Sequence, residues 1–174
     1  MKKNFTLTFL IVAALIGFSM SASAQATGSA IATGTIVTPI SIVKVDDMNF
    51  GNVAVSAATA GTVVMTPEGG TSTTGGVTLP ATAGTVSAAS FTVSGEGTYT
   101  YAITLPTTDY TVTHTTIPAS TMAVNAFTST PTGTGALTAG SQTLNVGATL
   151  NVDAGETAGT YTNATGFDVT VNYN

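Results

Sequence analysis

Two stretches near the C-terminal end of this chain alternate apolar and polar residues with a period of two. Leu144, Val146, Ala148, Leu150 and Val152 form one apolar stripe, and Phe167, Val169, Val171 and Tyr173 form another. Successive side chains of an extended chain point to opposite faces, so each stripe puts one face on a core and the other in water. Gly155 and Gly159 lie between the stripes and predict a turn, which makes the whole a strand–turn–strand unit. A chain built this way folds as sheet. The pattern speaks to architecture and leaves chemistry open.

Upstream, the same alternation recurs between glycine and proline stops. Residues 36–43 are strand-like, with Pro39 suited to an edge or a bulge because it lacks an N–H. Gly51 predicts a further bulge or a close backbone approach. Residues 62–66 form a short strand stopped by Pro67, Glu68, Gly69 and Gly70; residues 71–76 read as a polar loop and 77–79 as a strand. Residues 81–89 read as a linker. Residues 90–94 and 98–105 flank Gly95, Glu96 and Gly97, a spacing that predicts a hairpin. Strands follow at 110–114 and 122–127, with a turn-rich loop over 129–135. Nothing after residue 24 carries helical periodicity, so the reading is all-β, with the turn spacing of a sandwich or barrel.

The first residues read differently. Lys2 and Lys3 precede an apolar run over 5–18, and Ala22 and Ala24 occupy the small-residue positions that signal peptidase reads. Cleavage is expected between Ala24 and Gln25. Residues 1–24 are then a signal peptide and 25–174 a single exported domain, bound for the periplasm, outer surface or medium of a bacterium. No transmembrane span is expected in the mature chain. There is no cysteine, so an exported domain must rely on its core rather than on disulfides.

Charge excludes several functions. After residue 24 the only cation is Lys44, against Asp46, Asp47, Glu68, Glu96, Asp109, Asp153, Glu156 and Asp168, a net charge of −7 for one lysine and eight acids. A nucleic-acid binder needs lysine and arginine to neutralise phosphates, and Lys44 alone, with no arginine, cannot do it. Anionic lipid headgroups are excluded on the same ground.

Catalytic arrangements fare no better. His114 is the only histidine, with no nucleophile-elbow motif near it, and reads as a surface strand residue. Asp46 with Asp47, and Asp153 with Glu156, read as solvated acids rather than a glycosidase pair, in a chain without tryptophan. An oxygen-ligated calcium would have to use those same acids, without any regular Asp-Gly loop. No catalytic residue, metal or cofactor is expected. Tyr99 and Tyr101 share a strand face by period two, which keeps a glycan-binding surface as a rival to a structural role.

Several blocks carry a family resemblance. Phe50, Gly51, Asn52 and Val53 follow an acidic pair; residues 91–96 precede Tyr99 to Pro106; residues 144–150 lead through Ala158, Gly159, Thr160 and Tyr161 to Val169, Val171 and Tyr173. Together these resemble the exported bacterial family known as domain of unknown function 4402. The resemblance implies an immunoglobulin-like antiparallel β-sandwich and supplies no activity. More distantly, the last strand is similar to that of chaperone–usher pilin subunits, with alternating apolar residues and a penultimate tyrosine. That similarity implies an assembly role for Phe167, Val169, Val171 and Tyr173, with partners among copies of itself, other surface subunits and a periplasmic chaperone.

An open sheet has to protect its edges, and this chain has little charge for the purpose. The segment 25–37 is strand-compatible and carries Ile31, Thr35 and Val37 as a comb of modest apolar side chains. It is expected to pair with the final strand, within one molecule or as a donor to a neighbour. The function expected is a non-enzymatic, exported cell-surface subunit, pilin-like or adhesive, with a secreted glycan-binding module as the alternative.

Overall fold

The computed structural model describes residues 24–174. The expected signal peptide therefore lies outside the described residues except for Ala24. Residues 24–35 form one unit, without regular secondary structure and exposed throughout. Residues 36–174 form the folded unit, which is all-β and antiparallel. Among the described residues no helix is long and apolar enough to cross a membrane.

In chain order the strands are β1 (Ser41–Asp46), β2 (Asn49–Phe50), β3 (Ala54–Val55), β4 (Gly61–Met65), β5 (Thr71–Gly75), β6 (Val77–Thr78) and β7 (Val86–Ser87). There follow β8 (Ala89–Ser94), β9 (Thr100–Thr104), β10 (Tyr110–His114), β11 (Thr121–Thr130) and β12 (Thr134–Ala136). The last are β13 (Ser141–Val152), β14 (Tyr161–Thr162) and β15 (Thr170–Tyr173). One large sheet runs β1-β8-β13-β11-β10-β14, with β4 and β5 attached to β13, and curls into a half-barrel. A second sheet runs β12-β9-β15, and the short strands form two small ladders, β2 with β7 and β3 with β6.

β13 is the spine. Its 12 residues pair with β11 along one edge, while the other edge is shared by β8, opposite residues 141–146, and β4, opposite 148–152. Gly147 sits at the changeover. The Met65 carbonyl packs so closely on it that a Cβ there would overlap the oxygen. Curvature follows from bulges: β11 slips register between Asn125 and Thr128, where Ala126 takes a positive φ of 49°, and β1 slips between Lys44 and Asp46.

The stripe from Leu144 to Val152 is buried along its length, as its alternation predicts, and it serves two clusters. Leu144 and Val146 join Ala89, Val93, Tyr101, Leu137 and Val171 between the large and the three-stranded sheets. Ala148, Leu150 and Val152 join Val63, Val77 and Val124. Met48 and Phe127 pack against both clusters.

Three local readings are corrected. The two C-terminal stripes are no hairpin: β13 belongs to the large sheet and β15 to the three-stranded one, with β14 and residues 153–169 between. Nor do residues 90–94 and 98–105 pair with each other. A turn in which the Tyr99 N–H donates to the Glu96 carbonyl carries the chain from β8 into the other sheet, and Gly95 and Gly97 bond to Gly140 instead. Residues 71–75 are a strand rather than a loop. β5 pairs only with β4, so main-chain bonding rather than burial holds it; the hydroxyls of Thr62 and Thr74 bond at 2.7 Å across the pair. Its turn uses Gly69 and Gly70, as the composition predicts.

Candidate functional site

β15 occupies an edge. It pairs with β9 from Thr170 opposite Thr104 to Tyr173 opposite Tyr101, and among the described residues its other side carries no strand. The four alternating residues singled out in the sequence fall together. Val171 is buried, and Phe167, Val169 and Tyr173 pack half-buried against the same cluster. Polar Thr170 and Asn172 face outward. One face of this strand is thus fixed in the core while one row of main-chain N–H and C=O groups lies without a ladder partner, the arrangement that invites strand addition.

Tyr173 does more than pack. Its hydroxyl donates to the carbonyl of Thr38 at 2.8 Å and accepts the N–H of Glu96. The Thr38 N–H in turn donates to Glu96 Oε2 at 2.9 Å. Both main-chain groups of Thr38 are therefore held, one by the last strand and one by the β8–β9 turn. Gly95 permits this, since a Cβ at that position would overlap the Tyr173 hydroxyl. Tyr99 meets the Tyr173 ring edge-on, with centroids 5.5 Å apart. Sequence reasoning missed Thr38 and Glu96. A main-chain partner leaves no mark in side-chain patterning, although Glu96 between two glycines was a visible sign of a functional turn.

The N-terminal comb is not in a strand. Residues 24–40 form no ladder; Ile31 and Thr35 are exposed, and Val37 is half-buried just before the clamp. Ile36 is 99% exposed.

The clamp makes a testable pH statement. The Thr38 N–H bonded to Glu96 holds that carboxyl below its ordinary value of 4.5. A depressed carboxyl contributes stability that is present above its ordinary value and lost as pH falls through the folded one. Protection of the Thr38 amide against hydrogen exchange is thus expected at neutral pH and is expected to fall in acid below that value. Glu96→Gln should remove the acid dependence. Tyr173→Phe should expose the Glu96 amide at all pH values and cost about 1 kcal/mol with the domain still folded. Unchanged exchange in both variants would show that the clamp does not form.

His114 is not on the surface. It is buried, its ring edge-on to Tyr161 with centroids 5.0 Å apart. Nδ1 accepts the N–H groups of Thr116 and Ile117, each at 3.1 Å, so the proton sits on Nε2, which faces the Ala158 carbonyl at 3.2 Å. Both nitrogens are engaged with main chain, and the ring joins the β10–β11 connection to residues 153–160. Residues 110–114 do form β10, but the burial of His114 leaves no mark in the sequence, because the partners of both ring nitrogens are main-chain groups.

The acids stay apart. Asp46 accepts the Ser90 hydroxyl at 2.7 Å, Asp47 pairs with Lys44 at 2.6 Å in the open, Asp109 accepts Asn125, and Glu156 accepts the Tyr161 hydroxyl. Among the described residues no group of three His, Cys, Asp or Glu side chains is placed to hold a metal ion. The tyrosines do not form the shared face that period two predicts. Tyr101 is fully buried, Tyr110 packs on Phe167, Tyr161 on His114, and only Tyr99 keeps a broadly exposed ring, outside β9 in the preceding turn.

A family model described as domain of unknown function (DUF4402) matches residues 40–173, from the residue before β1 to the end of β15. No curated protein matches the chain, and no solved structure does.

Proposed function

The chain belongs to the domain of unknown function 4402 family, and from that premise we propose that it is an exported, non-enzymatic subunit of the bacterial cell surface, pilin-like or adhesive, built on an immunoglobulin-like sandwich. The observation that carries this reading is the one-sided pairing of β15 in a chain whose residues 24–35 form no structure of their own. An extended segment added beside β15 would complete the three-stranded sheet by main-chain bonding. Residues 25–37 of a neighbouring copy are the proposed donor, with Ile31, Thr35 and Val37 as its comb. A periplasmic chaperone would cover the same edge before assembly. Engagement of both His114 nitrogens with main chain supports the non-enzymatic part.

The test is the oligomeric state of residues 25–174 beside residues 38–174, the shorter form beginning at the clamped threonine and so retaining both of its partners. The longer form is expected to give sedimenting polymers and the shorter a folded monomer. Two stable monomers would overturn assembly through this segment. Retention of those monomers on a polysaccharide column would then favour the glycan-binding alternative, for which the exposed Tyr99 ring is the supporting observation. Turnover of any substrate abolished by His114→Ala would overturn the non-enzymatic reading.

A further inference from the structure

The three-stranded sheet covers only half of the large one. Tyr101, Val171 and their neighbours close the cluster around Leu144 and Val146, whereas no residue of β9, β12 or β15 reaches the cluster around Leu150. That second half is roofed by the two-residue strands β2 and β3 and by the loop that leads from β13 to β15. Such a roof is too slight to fill the curl. A cleft of about 1330 Å³ remains on the concave side, larger than the roughly 300–1,000 Å³ of ordinary small-molecule sites.

The lining has a definite chemistry. Val112, Met122 and Leu150 form its floor; Met48, Phe50 and Phe167 stand on its walls. The two methionines are unbranched and adapt to irregular ligands. Charge in the lining comes from Asp46, Asp47 and Glu156 against Lys44 alone, and Lys44 is paired with Asp47. The Tyr110 phenol, also in the lining, is pushed above its ordinary value by burial and, further, by the charge of Asp47. The carboxylate field thus reaches into the cleft.

We propose that this cleft binds an elongated amphiphile, its apolar body against Met48, Met122 and Leu150 and an uncharged or cationic head beside Asp47 and Glu156. An anionic head is disfavoured by the net negative lining. The site shares Phe167 with the assembly stripe but no residue of β15, and probe binding is read separately from assembly.

Two fluorescent probes with the same aromatic body separate the terms. N-phenyl-1-naphthylamine is neutral, and 8-anilino-1-naphthalenesulfonate adds one negative charge. At low ionic strength the full mature chain is expected to bind the neutral probe saturably and the sulfonate about ten-fold more weakly. Asp47→Asn with Glu156→Gln makes the lining neutral and should narrow that gap to about three-fold; the Asp47 carboxylate is exposed, and glutamine at 156 keeps an oxygen to accept the Tyr161 hydroxyl. Methionine methyl resonances locate the probe: Met48 and Met122 should shift on titration with the neutral probe, and Met65, buried in β4 outside the cleft, should not. Absence of saturable neutral binding would overturn the proposal. So would equal binding of the sulfonate by the unaltered chain, or shifts confined to Met65.

Discussion

Tyr101→Ala is expected to destabilise the domain by about 3–5 kcal/mol, the range for deleting a fully buried aromatic ring. Tyr101 sits on β9, the middle strand of the three-stranded sheet, and is wholly removed from solvent between that sheet and β13. The ring contributes the largest fully buried volume in the protein's described residues. Its hydroxyl donates to Gln142 Oε1 at 2.7 Å, and the same oxygen accepts the Ala136 N–H at 2.9 Å. Burial pushes the phenol above its ordinary value of 10.0, so the hydroxyl remains a donor through the neutral range. Tyr101→Phe keeps the ring and leaves Gln142 bonded to Ala136, and is expected to cost only about 1 kcal/mol. Urea unfolding of the three proteins separates packing from hydrogen bonding. A loss of less than about 1 kcal/mol in the alanine variant would mean that the two layers do not share this core.

Gly147→Ala is the second large effect, about 3 kcal/mol or more. A single methyl is a small insertion in most strands, and overpacking by a methylene usually costs about 1–3 kcal/mol. Here the new carbon would overlap the Met65 carbonyl and stand 2.6 Å from the Thr66 carbonyl carbon and 2.8 Å from the Pro67 nitrogen. Those are main-chain atoms at the start of the β4–β5 turn and cannot swing aside as a side chain does. Relief requires β4 to leave its place beside residues 148–152. Hydrogen exchange should therefore show lost protection in β4 with the β8–β13 ladder preserved. Unaltered protection in β4 would refute the close approach.

Local periodicity carries much of this fold and little of its connectivity. The stripe from Leu144 to Val152 was legible because burial on one face leaves a pattern of period two. Phe167, Val169, Val171 and Tyr173 fall on one core for the same reason. Whether the chain turns back into its own sheet or crosses to another leaves no such pattern. Gly95, Glu96 and Gly97 suit a hairpin and a sheet crossing equally, and the choice is made by distant Gly140. β5 was unreadable because an edge strand held by main-chain bonds needs no apolar residues. The cleft was unreadable for a related reason: Met48, Phe50, Val112 and Met122 look like core residues, and only the short reach of the three-stranded sheet leaves them without full cover.

The hold on Thr38 has a mechanical meaning. Tension applied along the chain from its N-terminal side arrives at Thr38 before it reaches Ser41, the first residue of the β1–β8 ladder. Two hydrogen bonds from side chains, one to Tyr173 and one to Glu96, meet that pull ahead of any sheet. When they yield, the three residues up to the ladder can straighten to a span of about 10 Å at roughly 3.4 Å per residue, while all the strands remain paired. The clamp is therefore the first link that a pull from the N-terminal side has to break, ahead of the β1–β8 ladder.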